Sequence, residues 1–293
     1  MGASHRQTDC TAALIGDAEI SLWSLAAGQM VKQHSFARTS APPEQDLSAA
    51  LGQAQVPNSD APNSAPVLVC GLPPASAAVA VPATPGDLPL TQLALDRWQL
   101  LVLPGLQQKA PAGLMQESTA QIAGFVALNP KWDGVICLPG EVTHWVQVSA
   151  AEVVSFQSTL TTGLYSALAA RLEVPAHWSE SALAQGVADT MSRPERLATR
   201  LAELHASQLA PEPNATEAAG LLWGYLLGAE LAAARAYWLG QNLALVAPDH
   251  LAAPYMAAFA AQGLPATQAH PDRMAIEGLM QARRQAEKAA PAP

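Results

Sequence analysis

The fourteen residues Val135-Ile-Cys-Leu-Pro-Gly-Glu-Val-Thr-His-Trp-Val-Gln-Val148 decide the fold. Val135–Leu138 reads as a short apolar strand. Pro139–Glu141 is a turn, because proline presets one backbone angle and glycine relieves the steric limit on the next. His144–Val148 then reads as a second strand. The same form occurs once more, near the start of the chain. Thr11–Leu25 has Ala-Ala-Leu-Ile at 12–15, Gly-Asp at 16–17, and then Ile20, Leu22 and Leu25 in strand spacing. Two strand–turn–strand openings about 120 residues apart imply an α/β protein built twice, as two lobes. The residue pattern predicts that both hairpins face a cleft between the lobes, with Gly16 and Gly140 at its edge.

Outward from these hairpins, Val31–Arg38 is a candidate third strand, and Glu44–Gln55 a short helix followed by a proline- and serine-rich loop to Pro66. Val67–Gly71 reads as a strand running into Pro73-Pro74, Leu100–Pro104 as another, and Met115–Leu128 as a helix. From Glu152 onward alanine and leucine dominate, and helices are expected at Thr161–Leu172, Glu180–Ser192, Glu195–Leu209 and Thr216–Gly240. A strand at Leu243–Val246 precedes helices at Pro254–Gln262 and Asp272–Ala289 and a frayed tail at Ala290–Pro293. An N-terminal α/β lobe is expected at residues 1–110 and a helix-rich C-terminal α/β lobe at 111–293.

Half of the 293 residues are hydrophobic and 13% are charged, enough apolar material for a large core. A net charge of −9 argues against nucleic acid, which requires a basic footprint. The residues before Cys10 lack the apolar core of a signal peptide, and the most apolar helical stretch, Ala218–Leu231, is too short to span a bilayer and contains Glu230. Cys10, Cys70 and Cys137 are widely spaced, and the last two sit in apolar runs, so buried free thiols in a reducing, cytoplasmic setting are expected. Trp223, Tyr225, Tyr237 and Trp238, close together in sequence, are expected to pack against the opposite lobe.

Several segments, in order along residues 12–285, resemble the 2-keto-3-deoxygalactonate kinases of the sugar kinase, actin and heat-shock ATPase superfamily. They are Leu101-Val-Leu-Pro-Gly-Leu106, Gln121-Ile-Ala-Gly124, Ile136-Cys-Leu-Pro-Gly140 with Trp145-Val-Gln147, and Phe156 with Leu160-Thr161. Gly224-Tyr-Leu-Leu-Gly-Ala-Glu-Leu231, followed by Arg235 and Tyr237, is the most specific of them. The resemblance implies a duplicated ribonuclease-H-like, actin-like ATPase fold with an interlobe cleft. It also implies transfer of phosphate from ATP, with Mg²⁺, to a 2-keto-3-deoxy sugar acid. That chemistry needs two turns whose backbone N–H groups approach the phosphates, a carboxylate for the metal or the hydroxyl, and cations to balance charge. A small sugar acid is the implied partner, no membrane or nucleic acid is, and a homodimer stays open.

The family's motifs are altered here. In the first turn Gly16 remains, but Leu14 stands at the metal-directed aspartate, Asp17 and Ala18 at the hydroxyl residues, and Ser21 at the arginine. The family's Arg-Gly-Glu-Glu-x-Gln is Gln116-Glu117-Ser118-Thr119-Ala120-Gln121; Gln121 matches, and Glu117 is one residue out of step with the paired acids. In the second turn Pro139-Gly140 and Trp145-Val146 are kept, while Glu141, Val142 and His144 stand where threonine, histidine and lysine are expected. Leu160-Thr161-Thr162-Gly163 lacks the glutamate of the family's sugar-acid loop, and Pro248 replaces a glycine on the adenosine side. The candidates are therefore Asp17, Glu117 and His144 for catalysis, Gly16, Gly140 and Gly228 for the nucleotide frame, and Gln121, Thr161 and Arg235 for the sugar acid. No residues have metal-ligand spacing. Arg171, Arg193 and Arg235 are the cations that could meet an anion, since none lies between Lys131 and Arg171 or between Arg6 and Lys32. Two readings follow: a sugar-acid kinase with weak or lost activity, or a non-catalytic homologue that binds a ligand or regulates a partner.

Overall fold

The computed structural model describes residues 10–58, 65–72 and 78–289. Pro73-Pro74, the residues before Cys10 and the tail at 290–293 lie outside them. The chain forms two compact units: Met1–Trp132 with Ser149–Ser155 and Pro271–Pro293, and Asp133–Val148 with Phe156–His270.

In the first unit β1 (Cys10–Ile15) pairs antiparallel with β2 (Glu19–Ala26), and β2 with β3 (Gln29–Ala37). α1 (Pro43–Gln53) leads to β4 (Val67–Cys70), which lies parallel to β1. β5 (Val79–Ala80), β6 (Thr91–Leu95) and β7 (Trp98–Leu103) follow, with β7 parallel to β4 and antiparallel to β6. β8 (Leu106–Gln108) and β9 (Gly113–Met115) form a small sheet with β5, and α2 (Ser118–Leu128) closes this stretch. The main sheet runs β3-β2-β1-β4-β7-β6. Every residue of β1 and β4 is buried, as expected of central strands covered on both faces. Leu47 and Leu51 of α1 cover one face, joining Ile20, Val69 and Val102 in a single core.

The second unit repeats the plan. β10 (Gly134–Leu138), β11 (Thr143–Ser149) and β12 (Glu152–Thr159) form an antiparallel run. Then come α3 (Thr161–Leu172), α4 (Glu180–Ser192), α5 (Leu197–Gln208), α6 (Ala215–Ala233) and the short α7 (Arg235–Trp238). β13 (Leu243–Val246) lies parallel to β10, and after α8 (Asp249–Ala261), β14 (Ala266–Ala269) lies parallel to β13. The order is β12-β11-β10-β13-β14. Counted within each unit, both sheets therefore read three-two-one-four-five, with β6 an added edge on the first. The duplicated α/β design expected from the two hairpins is present. α9 (Pro271–Ala289) returns to the first unit and packs on α2, where Gly124 and Gly278 let the two backbones meet: a Cβ at either would collide with a carbonyl oxygen, of Met274 or Ala120.

Several expectations need correction. Glu152–Thr159 is a strand, although helices were expected from Glu152; Val153 and Phe156 are its buried residues. The helix expected from Met115 begins at Ser118, with Met115 in β9. The helix expected from Pro254 begins at Asp249 and contains Pro254; the carbonyl this proline leaves without an N–H partner belongs to exposed His250. The long helix expected at Thr216–Gly240 breaks at Ala234. Trp223, Tyr237 and Trp238 belong to the second unit's own core, and Tyr225 to a neighbouring cluster of that unit. The boundary expected at 110/111 falls between β8 and β9 of the first unit, and α2 stays with that unit through α9. The three cysteines are buried, and none is in a disulfide. Among the described residues no helix is long and apolar enough to cross a membrane.

Candidate functional site

The first turn joins β1 to β2. Gly16 donates its N–H to Glu19 O at 2.9 Å, so this N–H closes the hairpin. The backbone N–H of Arg38 donates to Ala18 O at 2.8 Å, and its Nη1 to Gly16 O at 3.3 Å. Arg38 Nε also meets Asp46 Oδ2 at 3.2 Å. Asp46 accepts from the Thr39 hydroxyl at 2.7 Å and the Thr39 N–H at 3.1 Å. These bonds, the hydroxyl first, hold its carboxyl below the usual range. A cation absent from the turn's own sequence thus arrives from the end of β3, and both carbonyls it meets are the turn's.

Asp17 is exposed at the tip, while Leu14 is buried in β1. Glu117 lies just before α2. Its neighbour Gly71 has φ +90°, and a Cβ there would collide with Ile15 O and sit 3.2 Å from Glu117 Cβ. The structure therefore brings Glu117 to the ends of β1 and β4. Burial, and then the charge of Asp17, push its carboxyl up to about 7. Cys70 Sγ, pushed up to about 12 by burial, donates to Gln116 O at 3.2 Å. Gln121 is half-buried one turn along α2. Of the catalytic candidates, Asp17 and Glu117 are brought together.

The raised carboxyl of Glu117 has a direct consequence. Its protonated form favours the folded state, a contribution complete below about pH 4.5 and lost as pH rises through about 7. Glu117→Gln removes that loss, so the variant is expected to gain on the order of 1–3 kcal/mol over the parent at pH 8 relative to pH 4, the range allowing for its partial exposure. Urea unfolding at both pH values measures it; equal differences at the two would show that Glu117 is not held protonated.

In the second unit the turn between β10 and β11 is tied to the start of α3. The Thr162 hydroxyl donates to Gly140 O and, at 3.1 Å, to Glu141 O, which also accepts the Gly163 N–H at 3.3 Å. The side chain of Glu141 is exposed. His144 is 3% exposed, its Nδ1 2.9 Å from Ser158 Oγ and its ring edge-on to Phe156. Burial holds its pKa near 4, so it is neutral at physiological pH. The neutral form favours folding, a contribution present above about 6.5 and lost as pH falls through about 4. His144→Gln is expected to flatten that acid limb by about 3 kcal/mol, read by urea unfolding at pH 4 and pH 7. An unchanged limb would place the acid sensitivity elsewhere.

Thr161 is buried, and its hydroxyl meets Thr159 Oγ1 at 3.4 Å. Gly228 lies in the contact of α6 with α4, beside Thr190 and Val187, alongside Gly220 and Gly224. Arg235 is exposed at the start of α7. Pro248 is the N-cap of α8, with Asp249 in its first turn. Among the described residues no group of three or more His, Cys, Asp or Glu is placed to hold a metal ion. Two residues stand out that the sequence reading left unassigned. Arg38 was hidden by its distance from the turn, and Glu230 carried one signal, an acid inside an apolar helix.

The doubled three-two-one-four-five sheet defines the actin-like ATPase and sugar-kinase fold. Similarity agrees: a protein of Sinorhizobium meliloti, whose crystal structure is described as a 2-dehydro-3-deoxygalactonokinase, matches 97% of this chain and 98% of its own with a TM-score of 0.84 at 23% identity. The activator of the 2-hydroxyisocaproyl-CoA dehydratase from Clostridium difficile, solved with bound ADPNP, matches 97% and 99% at TM-score 0.54 and 11% identity. Residues 15–282 match the 2-keto-3-deoxy-galactonokinase family, and the chain belongs to that family. A Rhizobium meliloti (strain 1021) protein named as a 2-dehydro-3-deoxygalactonokinase is 26% identical over 245 residues, 76% of this chain and 79% of its own. The 2-dehydro-3-deoxygalactonokinase of Escherichia coli (strain K12) is 29% identical over 187 residues, 61% of this chain and 62% of its own.

Proposed function

We propose that this member of the sugar-acid kinase family has lost effective phosphoryl transfer and retains the fold as a non-catalytic homologue that binds a ligand or regulates a partner. One observation carries the proposal. At the second turn the residue in the lysine's place, His144, is buried and neutral, while the exposed side chain of the turn is a carboxylate, Glu141. A triphosphate brought there meets a like charge, and the residue in the lysine's place offers none to balance it.

The first turn points the same way. Leu14 offers no ligand to Mg²⁺, the carboxyl of Glu117 is raised to about 7 and so carries only part of a charge near neutral pH, and Arg38 is committed to Gly16 O and Asp46. Mg²⁺ favours several oxygen ligands in near-octahedral geometry. The donors present do not fit it, and no step through ATP or Mg²⁺ is assigned to these residues. A small sugar acid remains the ligand class that the family suggests. A coupled kinase assay with ATP, Mg²⁺ and the sugar acid tests the loss, and turnover below about 10⁻² per second is expected, against a median near 10 per second for enzymes in general.

A further inference from the structure

We propose that Glu230 is the positioning residue of the second turn, holding residues 139–142 in place through Tyr255 and Thr143 on one side and through Thr159, Thr161 and Thr162 on the other. The inference rests on the assignment of 139–142 as one of the two phosphate turns. It accounts for how the turn is held although the family's threonine, histidine and lysine do not stand in it.

Glu230 is 3% exposed and projects from α6, and its hydrogen-bond partners among the described residues include no cation. Its Oε1 accepts from Trp145 Nε1 at 2.8 Å. Its Oε2 accepts from Thr159 Oγ1 at 2.8 Å and from the Tyr255 hydroxyl at 3.1 Å. The tyrosine proton is thereby used, so Thr143 donates its own hydroxyl proton to the Tyr255 oxygen at 2.8 Å. Thr143 is the first residue after the turn. On the other side Thr159 ends β12, Thr161 donates to it at 3.4 Å, and Thr162 holds Gly140 O and Glu141 O. One carboxyl on α6 thus organises β11, β12, the start of α3 and α8. Burial raises the pKa of this carboxyl, and the hydrogen bonds of Thr161, Trp145, Thr159 and Tyr255, which favour its charged form, oppose that burial. A residue serving only to fill α6 would not need these partners, and an apolar one would leave the buried Trp145 Nε1 and Tyr255 hydroxyl without this acceptor.

The test is backbone amide exchange in the whole protein with Glu230→Gln, Glu230→Ala and Thr162→Val. Glu230→Gln keeps one acceptor oxygen and is expected to raise exchange at residues 139–143 and 160–163 by about tenfold, with the α4–α6 contact unchanged. Glu230→Ala is expected to exceed it, so that glutamine gives partial rescue. Thr162→Val cuts only the last link, so its effect is expected within 139–142. Thr162→Val also keeps the proposal testable where Glu230→Ala fails to fold. A uniform rise across the second unit, or no rise at the turn in the Gln and Val variants, would overturn the proposal. Titrating ATP·Mg²⁺ into the unaltered protein reports separately on the lost phosphate site: nucleotide binding there would refute that reading and leave the exchange result standing.

Discussion

Purified protein given ATP, Mg²⁺ and 2-keto-3-deoxygalactonate is expected to form the phosphorylated acid at less than about 10⁻² per second, against a median near 10 per second for enzymes in general. Transition-state charge in phosphoryl transfer must be balanced, and loss of one stabilising donor alone costs roughly 10²–10³ in rate. Leu14, the residue that aligns with the family's metal-directed aspartate in our reading, is buried in β1. The basic position of the second turn is a neutral, buried histidine, and Glu141 adds a negative charge on the turn itself. These losses fall on one site and need not add, but they share a direction. Coupled detection of ADP, with sugar-acid phosphate measured alongside, decides the matter. Turnover near one per second would mean that Asp17, Glu117 and His144 form a working site after all.

Gly278→Leu is expected to destabilise the first unit by about 3 kcal/mol or more, the upper range for overpacking and beyond it. A Cβ at Gly278 would collide with Ala120 O, and one at Gly124 with Met274 O, so backbone faces backbone on both sides. Neither helix has a flexible side chain at that point to swing aside. α9 also carries the chain's return to the first unit and packs against β1 and β4, so moving it disturbs the sheet that carries the first turn. Glu287→Ala, on the exposed side of α9 and paired with Arg283 at 2.7 Å, is the control, expected to change stability by less than about 1 kcal/mol. Thermal and urea unfolding of the two variants measure the contrast. A Gly278→Leu protein as stable as the control would show that the α2–α9 contact is looser than its geometry.

The two hairpins were legible because turn residues interrupt apolar runs at one place each, Gly16-Asp17 and Pro139-Gly140. The helices α3 and α4 and the strand β13 were legible in full, since alanine- and leucine-rich periodicity and the run Leu243–Val246 have no competing pattern. β12 was not. Val153, Val154 and Phe156 sit in a segment whose neighbours favour helix, and pairing in the sheet overrides that preference. β14, Ala-Thr-Gln-Ala, has no apolar signal and exists through its parallel pairing with β13. At the site, the proximity of Asp17 to Glu117 follows from the meeting of β1 with β4, a long-range fact that no local pattern encodes. Arg38 reaches the first turn because β3 pairs back along β2, which places residue 38 beside residue 18. Glu230 was visible as an oddity in an apolar helix, but its partners come from β11, β12 and α8, and only the folded unit gathers them.

Calorimetric titration of the unaltered protein with ATP·Mg²⁺ tests the central claim most directly, because binding precedes any chemistry and needs no guess about the sugar acid. The expected result is no saturable heat up to millimolar nucleotide, consistent with a carboxylate on the second turn, a neutral His144 and an Arg38 already engaged with Asp46. A one-to-one isotherm with a Kd of about 10 µM, near −7 kcal/mol, would contradict it and return the chain to the working kinases of its family.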